Sequence, residues 1–172
     1  NIHYTRMRNT YATGSINVNM GNVGGLVGFL SGYPGIVESS YSLVNITGSA
    51  TSIGGISGSS EASGATFISN VLSLGSLYTS ATTDSIDRIG FANNKNNLYA
   101  WNKMTVNGFT NAPTNTEILK TTQQLLSSDF YQYDIGFDNS WDLSGLSKGI
   151  LPKLYSTTGE LLPNQPDIYL EE

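Results

Sequence analysis

Several residue groups in this sequence have types and spacings that could do chemistry. Gly24-Gly25-x-x-Gly28 resembles a phosphate-cradling loop. Such loops need a helix directly after the glycines and a Lys or an acidic ribose partner. Here Phe29-Leu30-Ser31-Gly32-Tyr33-Pro34 follows, and the motif returns as Gly54-Gly55-x-x-Gly58, so it reads as a structural turn. Asp134, Asp138 and Asp142, with Asp84-x-x-Asp87, offer the hard oxygens that Ca²⁺ prefers. Their spacing fits neither an EF-hand nor the Gly-Gly-x-Gly-x-Asp calcium solenoid, which leaves solvated turns. Glu38 and Glu61 could be the paired carboxylates of a sugar-cleaving enzyme. No Lys or Arg lies between Asn9 and Thr83 to hold an acidic sugar, so both read as solvated acids. A zinc peptidase helix needs two imidazoles, and His3 is the only histidine. Cysteine is absent. The expectation is therefore no catalytic, no cofactor-binding and no metal-ligating residue in this chain.

Charge and polarity narrow the partners. Only 12% of residues are charged, about half the usual share. A net charge of −5, without the extended Lys/Arg footprint that phosphate binding needs, argues against nucleic acid. The longest apolar run, around Leu26–Leu30, is too short to span a bilayer, and no secretory leader is recognisable. A start at Asn1 without Met reads as an excised fragment or processed product. Arg6, Arg8 and His3 form a small basic cluster, read as a solvated edge or as the strand that joins upstream parts of a parent protein.

Two gradients divide the chain near residue 110. Between Asn9 and Thr83 the only charged residues are Glu38 and Glu61, whereas Thr116–Glu172 holds nine of the thirteen acids. Fourteen of nineteen glycines precede Phe91. The N-terminal part repeats: Val23-Gly24-Gly25-Leu26-Val27-Gly28 returns as Ile53-Gly54-Gly55-Ile56-Ser57-Gly58, an offset of 30 (53 − 23). The same offset carries Tyr11 to Tyr41, Ile16 to Ile46 and Ser39 to Ser69. A degraded third copy, Ile86-Asp87-Arg88-Ile89-Gly90, is shifted by three further residues. A fixed period of this length marks units that bury their apolar faces only by stacking. Ile16-x-Val18-x-Met20 and Tyr41-x-Leu43 alternate as half-buried strands do, and the frequent glycines stop helices from propagating. Residues 1–110 are expected to form a short parallel β-helix of about three 30-residue rungs, each with three sides. Stacking about 4.8 Å apart favours uncharged rungs, because like charges in one ladder repel.

Residues 111–172 are expected to be a C-terminal cap that lids the solenoid's open end. Thr114-Asn115-Thr116-Glu117 has capping-box form, and Ile118, Leu119, Thr122, Leu125 and Leu126 then share one face of a helix near 116–126. Phe130, Tyr131, Tyr133, Phe137 and Trp141 read as cap core, with a carbohydrate or protein platform as the other reading. A final strand is expected near 150–155.

The Gly-Gly-Leu/Ile-x-Gly core resembles the GLUG repeat of bacterial surface proteins. Asp129-Phe130-Tyr131, Trp141-Asp142-Leu143-Ser144, Gly149-Ile150-Leu151-Pro152-Lys153-Leu154 and Leu161-Leu162-Pro163-Asn164-Gln165 together resemble the end of the GLUG region in streptococcal immunoglobulin A1 proteases and related zinc metalloproteases. The likeness covers roughly residues 11–58 and 116–165. It implies a secreted protein at the bacterial cell surface or wall, in which a distant zinc endopeptidase domain cleaves the IgA1 hinge. That domain's His-Glu-x-x-His helix has no counterpart here, so zinc would belong to the parent only. In a bacterium the sequon Asn45-Ile46-Thr47 would go unused. The expected role is a non-catalytic scaffold or substrate-positioning module, monomeric, contacting other domains of the parent, with immunoglobulin A1 as a candidate partner. The alternatives are a repeat segment of a surface adhesin and, more remotely, a β-helix polysaccharide-degrading enzyme.

Overall fold

The computed structural model describes residues 4–62, 64–80, 85–107 and 117–170. Within them the chain winds as a parallel β-solenoid of about three turns with a helix-poor C-terminal block on its flank.

Each turn has three sides. The broad first side begins with β1 (Thr5–Arg8) and β2 (Tyr11–Val18), continues through β5 (Gly35–Gly48), β8 (Thr66–Ser73) and β10 (Asn94–Trp101), and ends with β11 (Ile118–Lys120). The second side stacks β3 (Asn22–Gly24), β6 (Ser52–Gly54) and β9 (Ser85–Asp87). The third stacks β4 (Val27–Leu30) on β7 (Ser57–Ser60), with Ser57 bridging onward to Gly90.

Register follows the repeat read from the sequence. Tyr11 pairs with Tyr41, Ile16 with Ile46, and Val23 with Ile53. Ile53 pairs with Ile86, an offset of 33 (86 − 53), so the third copy sits where its three extra residues place it. Ser39 and Ser69 are not counterparts: Glu38 pairs with Ser69 and Ser40 with Val71. The residue beneath Ser39 is Asn70. Asn9, Ser39, Asn70 and Asn97 all have positive φ, between 46° and 53°, and bend the first side at one level in successive rungs. Asn tolerates this left-handed backbone better than most residues, and Asn97 Nδ2 donates to Asn70 Oδ1 at 2.9 Å down the ladder.

Alternation along the first side sorts the core. Val37, Ser40, Ser42, Val44 and Ile46 point inward with Ile68, Val71, Ile53, Ile56, Ile89 and Leu98. The register partners Tyr11, Tyr41, Leu72 and Tyr99 point outward in one ladder. The C-terminal block packs on this outer ladder: Phe130, Tyr131, Ile135, Phe137, Trp141, Leu146 and Leu151 join Tyr41, Leu72 and Tyr99 in one apolar cluster. It is a brace along the flank, reaching back to the first rung, and not the end lid expected from the sequence. An aromatic patch this large needs a broad flat partner. The outward Tyr/Leu ladder supplies one, whereas the end of a coil does not.

The expected helix near 116–126 is also corrected. Ile118–Lys120 is β11, which extends the first side by pairing Ile118 with Tyr99 and Lys120 with Trp101. The helix is a single turn, α1 (Thr122–Leu125), capped by Thr121: its Oγ1 accepts from Gln124 N–H, and Gln124 Oε1 accepts from Thr121 N–H at 2.9 Å. The box is thus Thr-x-x-Gln seven residues later (121 − 114), because residues 118–120 pair with the edge of β10. Thr114–Thr116 of the expected box lie outside the described residues. The final strand is β13 (Lys153–Leu154), antiparallel to β12 (Trp141–Asp142).

Candidate functional site

The glycine motif forms the corner between the second and third sides. A Cβ on Gly55 would lie 2.0 Å from both Arg88 O and Ser73 Oγ; one on Gly25 would lie 2.0 Å from Ser42 Oγ. Leu26 and Val27 N–H both donate to Ile56 O at 3.0 Å, so the corner amides serve the next rung. The third rung breaks the rule with Arg88, one residue after Asp87, the partner of Gly54. Its side chain is wholly buried. Burial pushes its pKa down, against Glu117 and Asp87, which hold the cation. Sequence reading passed over this residue; the mismatch of Arg against two glycines in aligned copies was the available signal.

The acids are each engaged locally. Glu38, on the outer face of β5, takes Arg6 Nε at 2.8 Å and faces Arg8 Nε at 3.6 Å. Glu61 accepts from Gly32 N–H at 3.5 Å, so the two glutamates serve different partners. Asp87 accepts from Ile89 and Gly90 N–H at 2.8 Å each and faces Lys95 at 3.5 Å. Asp84 lies outside the described residues. Asp134 pairs with Lys120 at 2.9 Å. Asp138 accepts from Ser140 N–H at 2.9 Å and faces Arg8 at 3.4 Å; Asp142 accepts from Ser144 N–H at 3.0 Å. Partial burial opposes ionisation of Asp138 and Asp142, but these hydrogen bonds and the nearby Arg8 and Lys153 hold both carboxyls below their ordinary range. Among the described residues, no three of His, Cys, Asp and Glu converge on one point. No described helix is long and apolar enough to cross a membrane.

The aromatic block is core. Phe137 stacks on Trp141 at 3.9 Å and 4°, and Trp141 leans on both Tyr41 and Tyr11. Trp141 Nε1 donates to Asn9 Oδ1 at 3.3 Å, and Tyr11 Oη donates to Gln165 Oε1 at 3.0 Å. Tyr133 is the exception, 80% exposed. It rims a shallow depression of about 280 Å³ with Lys120, Gln124, Asp129 and Phe130. Lys120 there lies 5.0 Å from the Tyr99 ring and 4.9 Å from the Phe130 ring, a cation–π clamp that fixes β11 to the brace. A second groove, about 410 Å³, runs between rungs two and three, lined by Ser59, Ser60, Phe91, Asn93 and Lys95. These surfaces offer hydroxyls, amides and ammonium groups that bind by hydrogen bonding. Asn45 stands exposed on β5, its Oδ1 accepting from Ser76 N–H at 2.8 Å, so the sequon is part of the rung ladder.

Compared with family models, curated proteins and solved structures, the chain matches none.

Proposed function

We propose that this chain is a non-catalytic scaffold and substrate-positioning module of a secreted, cell-surface zinc endopeptidase of the immunoglobulin A1 protease type. The observation that carries the reading is the use of every described candidate acid as a local structural partner, on a solenoid braced along its flank. The contribution of such a module is geometric: a stiff face holds a large substrate in register with a distant active site. Zinc, the hinge-cleaving chemistry and the His-Glu-x-x-His helix belong to the parent, and the antibody is the proposed substrate. The sequence resemblance in the repeats and in the closing block gives the protease its place in this reading. The test compares cleavage of the IgA1 hinge by the parent with and without residues 1–172. The expected result is intact zinc binding with a large loss of hinge cleavage; unchanged cleavage overturns the positioning role.

A second reading, a segment of a surface adhesin, is favoured by the grooved, hydroxyl- and amide-lined flank around Ser59, Asn93 and Lys95. Binding of the isolated chain to immobilised glycans with no effect of its deletion on proteolysis would support it.

A further inference from the structure

The first rung is an edge on all three sides at once. Among the described residues β1 and β2 pair only with β5, β3 only with β6, and β4 only with β7. Several of its inward residues are correspondingly uncovered. Ile16 is 36% exposed while its partner Ile46 is 0%; Val18, Val23 and Leu26 are half-buried while Ile53 and Ile56 are 0%. The flanking brace meets this rung on its outer face, at Asn9 and Tyr11, and leaves the edge itself open. An edge of this length with apolar residues behind it is a template for strand addition.

We infer that this face receives one more solenoid rung, a parallel, extended segment of mostly uncharged residues that continues the ladder. Three features fix its chemistry. The inter-rung surface is continuous, so aliphatic side chains are required over Met7, Ile16, Val23 and Leu26, as Met7, Ile16 and Val23 themselves lie over Val37, Ile46 and Ile53. Asn9 bends the strand, so the new rung carries Asn, Ser or Gly in left-handed backbone above it, as Ser39 and Asn70 do below. Arg6 and Arg8, each 44% exposed, favour an acid above them, the position Glu38 takes in the rung beneath. A second copy docking by a two-fold axis would run β2 antiparallel to itself. The bend at Asn9 lies four residues from one end of Thr5–Val18 and nine from the other (9 − 5 and 18 − 9), so it would face straight strand and break the pairing.

The test replaces residues 1–4 with a copy of residues 35–64, which sets Ile46 of the copy over Ile16 and Glu38 over Arg8. A control carries the same thirty residues in scrambled order. Hydrogen exchange of the Ala12–Val18 amides is followed in the natural chain and both extensions, at two protein concentrations. The expected result is at least tenfold slower exchange of these amides in the ordered extension alone. Equal exchange in the ordered and scrambled extensions overturns the inference, as does protection in the natural chain that already equals that of β5. Protection of the natural chain that rises with concentration assigns the face to a second copy instead and overturns it too.

Discussion

Tyr11 lies flat against Tyr41 one rung away, ring centroids 5.0 Å apart and planes 11° apart, and Tyr41 Oη donates to Pro152 O at 2.7 Å. This pair joins the two halves of the chain. The repeat places the tyrosines in one outward register, and the C-terminal block closes over them with Trp141 and Phe137.

Truncating Tyr41 should therefore loosen the brace and the solenoid together. Tyr41→Ala is expected to cost about 3–5 kcal/mol, in the range for removing a buried aromatic. Tyr41→Phe keeps the stack and loses one hydrogen bond to a buried carbonyl, costing about 1 kcal/mol. Urea melts followed by Trp fluorescence would show both, and equal effects would mean that the stack carries nothing.

The corner glycines should separate by what surrounds them. A Cβ at Gly55 meets backbone and side chain at 2.0 Å, whereas one at Gly28 comes no nearer than 3.1 Å, to Asn22 O. Gly55→Ala is expected to destabilise by about 1–3 kcal/mol and Gly28→Ala by clearly less. Thermal melts check the order. A Gly55→Ala protein as stable as the parent would remove the close approach at the corner.

Burial differs between the first rung and the second, and charge insertion reads it out. Ile56→Asp places an unpaired carboxylate in the core, at several kcal/mol, and should unfold the chain. Ile16→Asp, on the open edge, should leave it folded in the natural chain. Circular dichroism of the two variants decides the matter, and similar spectra would contradict the asymmetry.

Acid should weaken the brace. The folded-state pKa values of Asp138 and Asp142 lie below the ordinary 3.8. Depressed carboxyls contribute stability that is present above their unfolded pKa and lost as pH falls through the folded one. Stability should therefore hold steady above about pH 5 and decline below about pH 4. Asp138→Asn should flatten that decline. At the other extreme, burial pushes the Tyr41 phenol well above its ordinary 10.0, so stability should fall as pH rises past that value, and less so in Tyr41→Phe. A variant whose pH–stability curve overlays the parent's would dismiss the corresponding residue as a contributor.

The solenoid was legible because its information is periodic. A thirty-residue repeat of Gly-Gly and alternating aliphatics sets register and core together, down to the three-residue shift at Ile86. The Ser39–Ser69 match misled, since identity of residue type is weaker than the backbone requirement that pairs Ser39 with Asn70. The cap was legible as core and illegible as geometry. Nothing in Phe130–Trp141 says whether it covers an end or a flank; that is decided by the outward ladder of Tyr11, Tyr41, Leu72 and Tyr99, whose members lie 27 to 31 residues apart (99 − 72, 41 − 11, 72 − 41). The helix was misplaced because Ile118, Leu119, Leu125 and Leu126 fit one helical face, whereas pairing with β10 is a long-range choice that local spacing does not carry. Each described candidate acid meets a turn amide or a neighbouring cation.

The rung-on-rung register is the claim on which the rest depends, and cross-linking tests it directly because the chain has no cysteine of its own. Asn17 and Thr47 are exposed partners in adjacent rungs, within the Cα separation of about 4.4–6.8 Å that a disulfide spans. Asn17 and Asn45 are two residues out of register, about 8 Å apart and beyond easy reach. Under mild oxidation, Asn17→Cys/Thr47→Cys should close quantitatively while Asn17→Cys/Asn45→Cys stays largely reduced. Free thiols in the first protein, or equal closure in both, would contradict the stacked-rung account.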